Sequence, residues 1–540
     1  MDHHEYILTH RLADSDGFHE SHDSMADHLD KLTPHADVLH DSHVHSFADA
    51  KIAATQRPAR RRAVRLKGHK DLFHEHHKEL DHKNVILEPR VVFTAHQVDL
   101  HLLAGGRFLA PESLPPREQC IKVVVLGNEQ PLAHAEVTLM YLDGDGNKQM
   151  LPQVKTDAEG YCDLHFGADC KPLVIGGYPA CGYWSAFERN PGDHVVLECV
   201  PLDEGGPLGW WHTRMGVEKF DRQSGQSVRV GIIGTGVAKH PNLSHVVRLD
   251  GKLDLSSHGT HVCGLIASRP RVPGEYGGMV PGAAVFTQRV FELDDKGQMT
   301  LPDQTVLSHA IDEFAGHGHD PANRVDLINL SLGSRKRSEV VRDSIVNAYQ
   351  AGTLCVCSAG NTSNEVEYPA ALPETVGVSG LGVEEWGPEN SVTAFMTPPD
   401  SQPERFGKDG MYLAMFSCFG ETLSCAAPGN GIISTVTPLP ENDAPYAVMD
   451  GTSLSSPLVC GLLARLLSEN KAIQDMPLDG NRSRAITQML EKHCEQAGLN
   501  PQFEGAGLPE YSPLPSPMRT RISSKRGSAR KGSSAGKTRE

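Results

Sequence analysis

Between residues 228 and 461 the chain repeatedly joins an unbroken apolar run to glycine and small polar residues, and that pattern restricts its folding more than any other feature. Val228-Arg-Val-Gly-Ile-Ile-Gly-Thr-Gly-Val237 reads as a buried strand entering a glycine turn, and Ile328-Asn-Leu-Ser-Leu-Gly333 and Val356-Cys-Ser-Ala-Gly-Asn361 do the same. His258-Gly-Thr-His-Val-Cys-Gly-Leu-Ile-Ala267 and Gly451-Thr-Ser-Leu-Ser-Ser-Pro-Leu-Val-Cys-Gly461 instead open helices rich in small and apolar residues. Taken alone, the first block suggests a nucleotide-binding turn. Gly234 and Gly236 supply its first two glycines, but Lys239 stands where the third belongs and Pro241 interrupts the helix that would hold a pyrophosphate.

In this order, with Tyr368-Pro-Ala-Ala371 and Cys425-Ala-Ala-Pro-Gly429 in support, the blocks resemble the subtilisin-like serine peptidases over about 260 residues. The resemblance implies an α/β fold, a parallel sheet with helices on both faces, and a polypeptide substrate. Ser453, at the start of an apolar helix whose N–H groups and dipole favour negative charge, is the expected nucleophile. His258 is the expected general base, and the small residues Gly259, Thr260 and Gly264 let its helix approach the sheet. By the resemblance, Asn361 supplies the side-chain donor of an oxyanion hole. Ser331, Leu332 and Gly333 end a buried strand and match the edge on which the family binds an extended peptide.

One position departs from the family. Gly234 occupies the place of the Asp that orients the imidazole, and glycine has no side chain to accept its proton. Asp254 and Asp250 are the nearest carboxylates in sequence. Two functions therefore stand: a serine endopeptidase with impaired chemistry, and a pseudopeptidase that holds a peptide without cutting it.

The remaining chain divides by composition. The first 100 residues hold sixteen of the 29 histidines. Residues 1–105 are framed by the strand-like strips Tyr6-Ile-Leu-Thr9 and Asn84 to Phe93, a layout similar to the inhibitory propeptides that precede subtilisin-type domains. His40 to His45 and His74 to His77 invite a metal reading, but their spacing fits no tetrahedral zinc motif. Arg57 to Lys70 is basic, either a docking segment or a solvated helix or linker. Residues 118–200 alternate in short strands separated by turns, as in a small antiparallel β-sandwich resembling transthyretin-like or regulatory-like modules. Asp143, Asp145 and Asn147 suggest calcium, but an ordinary hairpin turn fits them better because the late Glu of a calcium loop is missing. The peptidase-like domain spans 208–470, a helical extension 471–508 and a basic tail 509–540.

With 51 Lys and Arg against 68 Asp and Glu, the net charge of −17 argues against general nucleic-acid binding, and no apolar run is long enough to span a membrane. No cofactor is expected and no metal-ligand set is read, with calcium binding left open. The twelve cysteines lack a disulfide-scaffold spacing and the start lacks a basic region followed by an apolar one, so cytosolic residence is expected.

Overall fold

The computed structural model describes residues 3–12, 18–42, 61–80, 82–96, 119–203, 205–318, 320–440, 442 and 445–512. His43, His45, Arg57 to Arg60 and the basic tail after Ser512 lie outside them.

An eight-stranded sheet organises the C-terminal half, in the order Val247–Arg248, Ala284–Arg289, Arg229–Gly234, Leu327–Leu330, Leu354–Ser358, Thr375–Val383, with Cys425–Pro428 and Met411–Leu413 both on the last. Every pairing is parallel except that of Met411–Leu413. The continuous apolar strands follow from burial on both faces. Ile232, Leu327 and Val356 enter one core with the helices His258–Ala267 and Thr452–Glu469, while Ile233, Ile328 and Cys357 enter the other with Gln304–Phe314 and Glu339–Gln350. The helix Gly480–Lys492 joins the first core through Ile486 and Leu490.

The described residues between 3 and 89 form a four-stranded antiparallel sheet, ordered Asp37–Asp41, Ala63–His69, His3–His10, Val85–Pro89, with helices Phe18–Leu32 and Lys70–Lys78. The two apolar strips of the sequence pair directly, Leu8 opposite Leu87. This unit docks on the helices Gln304–Phe314 and Glu339–Gln350. Ile7, Ala63 and Ile86 pack against Val340, and the Glu88 carboxylate accepts from Ser338 Oγ at 2.6 Å and Glu339 N at 2.7 Å, covering a helix N-terminus. Over its described residues 61–69 the basic run is not a solvated helix or linker: residues 63–69 are a strand, and Arg61 is buried between Asp312 (3.1 Å) and Asp343 (2.7 Å). Those helix carboxylates are what make a buried arginine tolerable.

Residues 119–199 form two sheets around one core that includes Val123, Val137, Leu164 and Leu197. The expected all-antiparallel arrangement is corrected at one edge, where His194–Cys199 runs parallel to Gln119–Gly127. Asp143 Oδ1 accepts from the N–H groups of Asp145 and Asn147, which makes that stretch a hydrogen-bonded hairpin turn. The insertion after Val383 ties this unit to the large sheet: Trp386 packs edge-on to Trp184 and donates to Gly431 O, and Asn390 O accepts from Phe187 N.

Candidate active site

Gly451 precedes the helix Thr452–Glu469 at φ +146°, and a Cβ there would stand 2.5 Å from the carbonyl oxygen of His96, so only glycine fits. Ser453 follows in the first turn, fully buried, and its Oγ has no hydrogen-bond partner among the described residues. Ser331 Oγ braces this turn by donating to Ser453 O at 2.7 Å, while itself accepting from Asn329 Nδ2. The brace is a role for Ser331 beyond the edge role read from sequence.

Thr452 donates through both N–H and Oγ1 to Asn361 Oδ1, at 2.9 and 2.8 Å. That fixes the carboxamide with Nδ2 pointing the other way, where it donates to His96 O at 2.6 Å. Ser453 N–H reaches the same oxygen at 3.4 Å. Two donors thus converge on one peptide carbonyl beside the hydroxyl of Ser453.

That carbonyl belongs to an extended segment lying between two edges. On one side Ala95 pairs with Leu332, Thr94 with Gly333, and His96 N donates to Ser331 O at 3.2 Å. On the other, Phe93 N donates to Pro302 O at 3.0 Å and Val92 bridges Asp303. Phe93 is 1% exposed, in the core that holds Leu307 and Leu332. The edge Ser331, Leu332 and Gly333 therefore does carry an antiparallel strand, supplied by the chain itself. Sequence reasoning missed the second edge at residues 302–304, which has no glycine or β-branched signature.

His258 opens its helix, 2% exposed, and neither ring nitrogen has a hydrogen-bond partner among the described residues. Burial, then the nearby imidazoles of His261 and His96, hold its pKa down to about 3. The two carboxylates nearest in sequence are committed elsewhere. Asp254 accepts from Thr235 Oγ1 at 2.8 Å and Thr260 N at 2.7 Å, and Asp250 from Lys252 N and Arg289 N. Gly234 ends the strand Arg229–Gly234, and a Cβ there would meet nothing within 4 Å.

Among the described residues, no group of histidines from the N-terminal unit forms a three-ligand cluster. Cys120, Asp163 and His165, on paired strands away from this site, are the one such group. No helix among them is long and apolar enough to cross a membrane.

Residues 225–500, just over half of the chain, match the Subtilase family, and the chain belongs to that family. It is 27% identical over 296 residues to the minor extracellular protease Epr of Bacillus subtilis (strain 168), covering 53% of this chain and 38% of that protein. Over 306 residues it is 30% identical to the thermophilic serine proteinase of Bacillus sp. (strain AK1), covering 54% and 61%. Over 287 residues it is 28% identical to subtilisin DY of Bacillus licheniformis, covering 51% and 89%. The chain thus spans less than two thirds of the first two relatives. A crystal structure of a cold adapted subtilisin-like serine proteinase aligns over 56% of this chain, with TM-score 0.40 and 21% identity.

Proposed function

We propose that the chain is a serine endopeptidase with weakened acid–base chemistry, whose cleft is filled by its own residues 91–96. Ser453 Oγ attacks the carbonyl carbon of a polypeptide bond while its proton passes to His258. Asn361 Nδ2 and Ser453 N–H hold the oxyanion. Collapse breaks the C–N bond, His258 returns the proton to the departing amine, and water then hydrolyses the ester on Ser453 by the same steps. The observation that carries this reading is the His96 carbonyl, which accepts from Asn361 and Ser453 N–H together, the contacts a scissile carbonyl requires.

Gly234 is the weak point. An imidazole held near pKa 3, with no carboxylate against it among the described residues, is a poor base for a serine hydroxyl, and none of those residues stabilises its protonated form. Residues 1–105 act as the inhibitory segment, and 118–200 as a bracing module. Neither nucleic acid nor a bound cofactor has a part in this reading.

The ring of His258, without a hydrogen-bond partner among the described residues, favours a second reading, a pseudopeptidase that binds without cutting. The intact mass of full-length Gly234→Asp protein after incubation decides between them. Fragments 1–96 and 97–540 that vanish when Ser453→Ala is added support the peptidase. A well-folded Gly234→Asp protein that stays whole and resists fluorophosphonate labelling at Ser453 leaves the binder.

A further inference from the structure

The side chain of His96 enters a pocket whose polar groups match an imidazole at both nitrogens. Its Nδ1 lies 2.6 Å from Ser358 Oγ and its Nε2 lies 3.1 Å from Glu367 Oε2, with both side chains buried. The flank is bare backbone: a Cβ on Gly333 would stand 2.5 Å from Cε1 of the ring and 2.8 Å from Nε2. The other Glu367 oxygen is occupied, accepting from Thr362 Oγ1 at 3.1 Å with Arg335 Nε at 3.9 Å. Burial alone would push Glu367 up, but the His96 ring, Thr362 and Arg335 together hold it below the ordinary glutamate value. An ionised Glu367 accepts from Nε2–H. Ser358 serves either state of the ring, donating to a bare Nδ1, or accepting from Nδ1–H while its own proton turns to Leu330 O at 3.4 Å.

We propose that this pocket makes the cleft selective for histidine as the residue whose carbonyl faces Ser453, with Glu367 as the specificity-determining group. An apolar ring or a leucine would leave a buried carboxylate and a hydroxyl without partners. A lysine or arginine offers Glu367 a charge but turns an alkyl stem toward Ser358 Oγ, where the histidine ring presents a nitrogen. Hydrogen-bonding pockets reject analogues that lack the matching donor far more strongly than apolar pockets reject a missing methylene.

The cleavage arm of the test rests on the endopeptidase reading, and a second arm does not. In the first, full-length Gly234→Asp protein digests an unfolded casein-like substrate and the termini are sequenced. Cleavage after histidine should exceed cleavage after leucine or phenylalanine at least about tenfold, and Glu367→Gln should erase most of that preference. In the second, the melting temperature of full-length protein without Gly234→Asp is compared for His96→Phe, His96→Leu and His96→Lys, each with Glu367 and with Glu367→Gln. Every substitution should lower it, and the losses should shrink in the Glu367→Gln background. Cleavage without histidine preference overturns the pocket and leaves the peptidase reading intact. Absent cleavage with coupled melting losses leaves the pocket and overturns the peptidase. His96→Phe or His96→Leu melting at or above the parent would sink the proposal in either case.

Discussion

Asn361 Nδ2 donates to the carbonyl oxygen of His96 at 2.6 Å, across a sequence separation of 265 residues. The bond depends on Thr452, which occupies Asn361 Oδ1 and so decides which end of the carboxamide faces the cleft. Replacing Asn361 by Ala in the Gly234→Asp background should lower kcat by about 10²–10³ and leave KM little changed, because the donor acts on charge that appears only as the bond breaks. Initial rates on a peptide substrate measure the split.

Gly234→Asp should raise kcat by about three to four powers of ten. The position accepts a side chain, since a Cβ meets no atom within 4 Å and Gly234 is not among the positive-φ glycines. A carboxylate near His258 should also lift the imidazole from its buried value near 3, moving the acid limb of the pH–rate profile upward. Fragment appearance followed by mass from about pH 4 to about pH 9 reads both effects.

Arg61→Ala should loosen the N-terminal unit. It removes the one partner shared by Asp312 and Asp343 at a buried contact and leaves carboxylate charge behind, a change that costs about 3–5 kcal/mol in comparable sites. Denaturant unfolding should show an early transition, and limited proteolysis should cut residues 1–96 faster than in the parent.

Acidification should destabilise the fold below about pH 6.5. Burial holds His212 and His258 near 3 and His261 near 4, so the unfolded chain takes up protons that the folded chain refuses. Each imidazole contributes roughly 1 kcal/mol of loss per pH unit across that window. Asp450 acts in the opposite sense. Burial raises it to about 6 despite bonds from Gly431 N and Thr393 Oγ1, so its contribution is present at low pH and lost as pH rises through about 6. Asp450→Asn should therefore steepen the acid loss and add up to about 3 kcal/mol at pH 8, measurable by urea unfolding at a series of pH values.

Local pattern was enough to read the strand ends and helix starts of the large domain. Val228 to Gly234, Leu327 to Gly333 and Leu354 to Asn361 are apolar on both faces, a condition that a doubly covered parallel strand imposes residue by residue. The strips at Tyr6 and Val85 are legible because Ile7 and Leu8 are buried on opposite faces, although not that the two strips pair antiparallel with each other. The basic run was misread because charge seen along a chain says nothing of the partner waiting for it. Arg61 is buried only because Asp312 and Asp343 come from helices more than 240 residues away.

The sequence by itself determined which residue types stand at the ends of the apolar blocks: a serine at 453, a histidine at 258, an asparagine at 361 and a glycine at 234 are properties of local composition and order. Only the tertiary structure decided what surrounds them. It commits Asp254 to Thr235 and Thr260 rather than to His258, seats residues 91–96 between two edges, and sets Glu367 against the His96 ring. Each of these is a contact between segments distant along the chain or a choice among competing hydrogen-bond partners. Both are settled by packing and desolvation, which no short window of sequence contains.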